Sequence, residues 1–175
     1  LRVYAEDVVG DYTGIYARNI GSGDIIIDVQ GAVEGGGNAA YSNRNAMIIS
    51  DYGSAAGGSL VIDVLNATGG GSGGGGYDAA LIGFNQAVGY IELTSTGVVD
   101  GTDGGGVYTW SDVNTADGGG ITLSLNSVTA QSYGIKSISY GGMHSITVAG
   151  SVGATDAFGI RAENKSGATD LPITA

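Results

Sequence analysis

The stretch "TGIYARNIGSG", residues 13–23, returns in altered form later in the same chain. The later versions are "YGIKSISYGG" at 133–142 and "FGIRAENKSG" at 158–167, and in all three a glycine directly precedes an isoleucine. A phrase that recurs in a chain of 175 residues indicates a recurring structural unit. The stretch therefore predicts a repeat protein.

The repeat can be followed through the chain as a small residue, glycine or alanine, followed by an aliphatic residue or methionine. We call the second members the anchor column: Ile15, Met47, Leu81, Val107, Ile135 and Ile160. The intervals between them are 32, 34, 26, 28 and 25 residues. A period in this range, with insertions, predicts a solenoid.

A second run of alternating aliphatic residues lies between successive anchors. The runs are Ile25–Ile27–Val29, Leu60–Ile62–Val64, Ile91–Leu93, Ile121–Leu123–Leu125 and Ile146–Val148. Alternation with a period of two predicts strands with one buried face, and no helical pattern competes with it. Like positions stacked about 4.8 Å apart would form continuous aliphatic ladders. We therefore predict an all-β chain, a parallel β-helix of about six coils. A β-sandwich is the main alternative, but it would not need the same small-then-aliphatic column in every unit.

Composition excludes several classes. The chain has 35 glycines but only one proline, which excludes collagen. It has no cysteine, which excludes disulfides and thiolate metal sites. Because 42% of its residues are hydrophobic, disorder is disfavoured. Seventeen acidic and six basic residues give a net charge of −11, which disfavours nucleic-acid partners. The apolar runs are too short to be transmembrane segments. Abundant glycine together with abundant aliphatic residues suits many short strands joined by tight turns.

The sequence predicts a single β-helix segment over residues 1–175, with surface insertions near 34–45 and 69–76. Both insertions lie between the second strand of one coil and the anchor of the next. Because natural solenoids cap their terminal faces and neither end shows a cap, we expect a fragment of a longer repeat protein.

The repeat resembles the passenger regions of bacterial autotransporters and related haemagglutinin-type surface proteins. The residues that carry the resemblance span the chain: 14–17, 23–33, 134–135, 146–152 and 159–162. The resemblance implies a right-handed parallel β-helix that is secreted to the extracellular side of the bacterial outer surface. There it would act as a rigid stalk, adhesin or scaffold that contacts a host or neighbouring cell.

Positions one and three past the anchors should point outward, and in the middle coils they are apolar. The set is Ile48, Ile82, Phe84, Tyr108, Trp110 and Ile138. A contiguous apolar surface marks an interface, and aromatic rings can stack on sugars. These residues are therefore our candidate contact face for a glycan or protein partner. The alternative is that a loop, such as 34–45 or 69–76, covers the face.

Four aspartates are candidate metal ligands. Asp28 and Asp63 occupy the same outward slot of successive coils, where two carboxylates would repel each other or recruit a cation. "DGTD" at 100–103 predicts a short glycine-rich loop on which Asp100 and Asp103 could hold calcium. The ordinary alternatives are a solvated acidic ladder and a solvated turn. No other cofactor is indicated.

His144 is the only histidine, two residues before Ile146 and so on the inward side or at a corner. The sequence has no second histidine and no cysteine that could form a site with it, so a structural role is favoured. It also lacks the motif of a strained nucleophile elbow, and we do not expect the chain to be an enzyme.

Two alternatives to an adhesive or structural β-helix stay open. One is a carbohydrate-active enzyme using Asp28 and Asp63, and the other is a self-assembling filament or surface-layer element.

Overall fold

The computed structural model describes residues 1–36, 47–51, 58–70, 78–86, 89–112, 119–165 and 172–174, with side chains of 48–51 outside the described part. These residues form 15 strands and no helix. The strands are β1 (Arg2–Ala5), β2 (Val8–Gly10), β3 (Ile15–Asn19), β4 (Ile25–Gly35), β5 (Met47–Asp51), β6 (Leu60–Gly69), β7 (Ala79–Asn85), β8 (Ile91–Gly101), β9 (Gly105–Ser111), β10 (Ile121–Ala130), β11 (Ile135–Ser139), β12 (His144–Val148), β13 (Val152–Ala154), β14 (Ile160–Asn164) and β15 (Ile173–Thr174).

The strands form two parallel sheets, and the chain passes from one to the other in every coil. Sheet A has the order β1-β4-β6-β8-β10-β12-β15, with β2 and β13 also paired to β4 and β10. Sheet B has the order β14-β11-β9-β7-β5-β3. The six stacked strands of sheet B span about five turns, so the predicted parallel β-helix is confirmed.

The anchor column lies in register along sheet B, as the sequence predicts. Ile15 pairs with Met47, and the column continues through Leu81, Val107 and Ile135 to Ile160. Opposite it, the inward residues of sheet A complete one continuous aliphatic core. Burial of these side chains is the main source of stability, at roughly 1.5–3 kcal/mol for each large aliphatic residue.

The small residue before each anchor has a packing reason. A Cβ atom on Gly134 would lie 2.5 Å from the carbonyl oxygen of Gly159 in the next coil, and closer still to a methyl of Val152. Gly106 has the same relation to Gly134 and Val128. Glycine recurs here because the valine column of sheet A occupies the space that a side chain would need.

The long strands of sheet A bend, and alternate coils build the bend differently. In one set of coils an oxygen-bearing side chain accepts a backbone N–H of the following coil: Asp7 from Ala32 (2.8 Å), Asn66 from Val98 (2.8 Å) and Ser127 from Ser151 (3.5 Å). The coils that alternate with these carry one extra residue at the bend, which appears as a shift in the strand register. Each of them also places a glycine beside the acceptor: Gly31, Gly97 and Gly150. A side chain on those glycines would displace the acceptor, so the bend repeats every two coils.

The two predicted insertions begin later than expected. Glu34 and Gly35 belong to β4, and Gly69 belongs to β6. The backbone ladder continues through these positions, as in the pairing of Glu34 with Thr68, so a glycine-rich composition does not end the strand. Residues 37–45 and 71–76 lie outside the described residues.

Buried polar side chains close the corner at the end of sheet B. Asn85 donates from Nδ2 to the carbonyl oxygens of Gly58 (3.2 Å) and Gly89 (2.9 Å), and Ser139 Oγ donates to Gly119 O (3.2 Å) and Gly141 O. These bonds satisfy turn carbonyls that the ladders leave unpaired. In these two coils, the bonds to Gly58 and Gly119 also link the strand of one coil to the turn of the preceding coil.

Candidate functional site

The predicted contact face lies on the outer side of sheet B, at the register the sequence indicates. Ile82 pairs with Tyr108, Phe84 with Trp110, and Trp110 with Ile138. The backbone of Ile48 pairs with Ile82, and its side chain lies outside the described residues. Neighbouring strands therefore bring the predicted set together.

The expectation that this face is open is wrong for three of its members. Ile82, Phe84 and Tyr108 are only 1%, 7% and 9% exposed, and Trp110 and Ile138 are partly buried. Alternation along a strand shows which side of the sheet a residue faces, but not what packs against it. The covered-face alternative fits this burial, and these side chains form a second apolar cluster outside the main core.

Edge-to-face ring contacts order this outer cluster. Phe84 lies 5.4 Å from the ring of Tyr108 and 6.0 Å from that of Trp110, with interplanar angles of 86° and 81°. Trp110 meets Tyr140 in the same way at 6.4 Å, and the Lys136 ammonium lies 4.8 Å from the Tyr108 ring centre. Such contacts each add about 0.5–1.5 kcal/mol to the burial of the rings.

Three members of the outer cluster were missed by the sequence reasoning: Ala79, Tyr133 and Phe158. They stand two residues before an anchor, a column that the sequence analysis did not follow. The rings of Tyr133 and Phe158 stack at 5.6 Å, and Tyr133 also covers Gly105, where a Cβ atom would meet the phenol ring.

The Tyr133 hydroxyl is buried and has no hydrogen-bond partner among the described residues. Burial raises the pKa of Tyr133 well above its ordinary value, and the neighbouring Tyr108 and Asp78 raise it further. Tyr133 is therefore neutral throughout the physiological pH range and acts as packing surface.

The aspartates predicted as metal ligands form two separate pairs. Asp28 and Asp63 are in direct register on β4 and β6, as expected, and Asp28 accepts a hydrogen bond from Gln30. The prediction that Asp100 and Asp103 share a loop is wrong in part. Asp100 is the penultimate residue of β8, where it pairs with Thr68 and Thr129, and only Asp103 lies in the turn.

Within the described residues, neither pair belongs to a larger cluster of potential metal-ligating side chains. No group of three or more His, Cys, Asp or Glu side chains occurs among the described residues. Calcium takes six to eight oxygen ligands, and each pair supplies two carboxylates. A calcium site at these aspartates stays a prediction without further support.

His144 forms a buried hydrogen-bonded network, which is the most distinctive polar group of the core. It is 0% exposed and pairs with Ile121 in the column otherwise occupied by isoleucine and leucine. Its Nε2 lies 2.7 Å from Ser137 Oγ, which lies 2.7 Å from Thr109 Oγ1. Its Nδ1 lies 3.0 Å from Asn164 Oδ1. Of the two positions that strand parity left open, inward or at a corner, the structure shows the inward one.

The network has the connectivity of a nucleophile, a base and an orienting group, but not the access that catalysis requires. Ser137, His144 and Thr109 are all fully buried, so no substrate carbonyl can approach Ser137 Oγ. Burial lowers the pKa of His144, and the hydrogen bond with Asn164 opposes that effect in part. The network therefore holds His144 as a neutral imidazole inside the β-helix. The imidazole fills the space that the small inward side chains of β9 and β11 leave in the core.

This histidine predicts acid-sensitive stability. Because the folded state favours neutral His144, the pKa of this imidazole is lower in the folded chain than its ordinary value of 6.5. At pH values between these two pKa values, the unfolded chain therefore binds more protons than the folded chain. Stability is therefore full above about pH 6.5 and is lost as pH falls below it, by at most about 1.4 kcal/mol per pH unit. His144→Leu, which continues the aliphatic column, should flatten this slope in denaturant melts between pH 7.5 and pH 5. An unchanged slope in the variant would contradict the assignment.

The chain matches no family model, no curated protein and no solved structure. Within the described residues, no helix is long and apolar enough to cross a membrane. Function is therefore inferred from the architecture and the surfaces of this chain.

Proposed function

We propose that this chain is a rigid structural and contact element of a larger β-helical protein on a bacterial cell surface. The observation that carries the proposal is the uninterrupted stacking of parallel strands, six levels in sheet B and seven in sheet A. Each level is joined to the next by a backbone ladder and by the aliphatic core. At about 4.8 Å per level, such a body resists bending along its axis and presents long lateral faces.

The extracellular setting is part of the same proposal. A net charge of −11 suits a soluble, exposed element that does not bind nucleic acid. The resemblance of the repeat to autotransporter passenger regions and haemagglutinin-type proteins supports a surface location. The partner would then be a glycan or protein of a host or neighbouring cell.

Pulling the chain by its two ends tests the structural role. A solenoid held together by ladders should keep its folded length under load and then unravel in steps of one coil. With 25 to 34 residues per coil, each step should release roughly 90–120 Å of chain. Smooth extension from the lowest forces, without steps, would show a compliant chain and would contradict the proposal.

The aligned carboxylates favour one alternative, a carbohydrate-active enzyme. Asp28 and Asp63 face the same side of adjacent strands, as a pair of catalytic carboxylates would. The test is turnover of neutral and acidic polysaccharides by the wild type and by Asp28→Asn and Asp63→Asn. Turnover that either substitution abolishes would replace the structural proposal with the enzymatic one.

A further inference from the structure

A shallow groove of about 340 Å³ runs across the outer side of sheet A, where strands β8, β10 and β12 bend. It crosses three consecutive coils. Its outward-facing lining consists of Thr94, Thr96, Ser124, Asn126, Thr147 and Ala149. Thr94 pairs with Ser124 and Ser124 with Thr147, so one row of hydroxyls follows the helix axis at intervals of about 4.8 Å.

The lining is uncharged and mostly apolar, with polar groups distributed along it. Threonine methyls and Ala149 supply apolar surface, while the hydroxyls and the Asn126 amide supply donors and acceptors. In the described part of the chain, the hydroxyls of Thr94, Ser124 and Thr147 have no protein hydrogen-bond partner. They are therefore available to a ligand.

Ser95 lies in the floor of the groove. It is buried and stands in an inward column whose other members, Val29, Val64, Leu125 and Val148, are aliphatic. Its hydroxyl donates to Leu65 O at 3.1 Å, so its hydrogen-bonding requirement is met inside the protein. This hydrogen bond offsets the cost of placing a polar residue in the column, so the ligand-facing polar groups are those of the outward lining.

We propose that this groove binds a neutral, linear oligosaccharide that lies along the helix axis. Sugars combine apolar C–H surface with hydroxyl donors and acceptors, which is the chemistry of the lining. An anionic chain is disfavoured because the protein carries a net charge of −11 and Asp63 lies one coil from Thr94 in the same row. The inference deepens the contact role in the proposed function and depends on it. Because the groove is shallow, the Kd should be on the order of 1 mM.

The test is an NMR titration of the chain with cellohexaose and maltohexaose, and with an oligogalacturonate of equal length as the anionic comparison. We expect saturable shifts for at least one neutral hexasaccharide, confined to amides of β8, β10 and β12. The double variant Thr94→Val/Thr147→Val keeps the branched shape and the strand preference but removes two hydroxyls. It should bind at least tenfold more weakly. Thr129→Val, an exposed position of β10 outside the groove, is the matched control and should bind as the wild type does.

Three results would overturn the inference. They are no saturable shift with either neutral hexasaccharide up to about 10 mM, unchanged affinity in the double variant, and tighter binding of the oligogalacturonate. If the groove fails these tests while the chain still unravels coil by coil under load, the structural role stands and only the ligand assignment falls. If the chain extends smoothly under load, the proposed function itself fails.

Discussion

Tyr108→Ala is expected to lower the free energy of unfolding by about 3–5 kcal/mol, the range for deleting a buried aromatic side chain. Tyr108 is 9% exposed, packs edge-on against Phe84 and carries the Lys136 ammonium over its ring. Its removal leaves a cavity in the outer cluster and exposes the neighbouring rings to water. Denaturant unfolding followed by circular dichroism measures the loss.

Tyr16→Ala is the matched control for this prediction. Tyr16 stands in the same outward column of sheet B, where it is the first member and Tyr108 the fourth, but it is 64% exposed. Its truncation should cost about 0.5 kcal/mol or less. Equal losses for the two variants would mean that the outer face is not buried in solution, and the open contact face predicted from the sequence would then be restored.

Gly134 belongs to the column of small residues that directly precede the anchors. Within this column, Gly134→Ala should be the most destabilising addition of a single methyl group. The added Cβ would lie 2.5 Å from the carbonyl oxygen of Gly159 and would also overlap a methyl group of Val152. The first of these is backbone of the next coil and cannot rotate away. We expect a loss of about 1–3 kcal/mol or more, because the ladder between β11 and β14 must shift.

Gly159→Ala tests the same column one coil later. Its Cβ would meet nothing closer than Val152 O at 3.8 Å, which is ordinary contact. Neither glycine has a positive φ, so backbone strain does not separate the two variants. We expect Gly159→Ala to change the unfolding free energy by less than about 0.5 kcal/mol or to raise it slightly. A larger loss at Gly159 than at Gly134 would contradict the register of the two columns.

Much of the architecture could be predicted because its cause is local and repeated. Each coil must place an aliphatic residue in the anchor column, and each anchor needs a small neighbour beside the valine column. These requirements recur at Ile15, Ile135 and Ile160, where the local sequences are nearly the same. The alignment of Asp28 with Asp63 followed from the same register.

What the sequence did not predict depends on contacts between distant positions. Burial of Tyr108 depends on what packs over the outer face, which alternation along β9 cannot show. The partners of His144 lie 7 residues before it, at Ser137, and 20 residues after it, at Asn164. The groove on sheet A could not be predicted from the sequence, because serine and threonine are ordinary strand residues. Only the stacking of three coils brings their hydroxyls together.

The most direct test of a rigid parallel solenoid is a distance along its axis. Because the chain has no cysteine, Tyr16→Cys and Arg161→Cys can carry spin labels without background. These residues stand in one outward row of sheet B, first and last of six strands. Five steps of about 4.8 Å place their Cα atoms about 24 Å apart. Double electron–electron resonance should give one narrow distribution centred within a few ångströms of that separation. A broad distribution, or a narrow one centred far from it, would contradict the stacked parallel register on which the fold and the proposed function both depend.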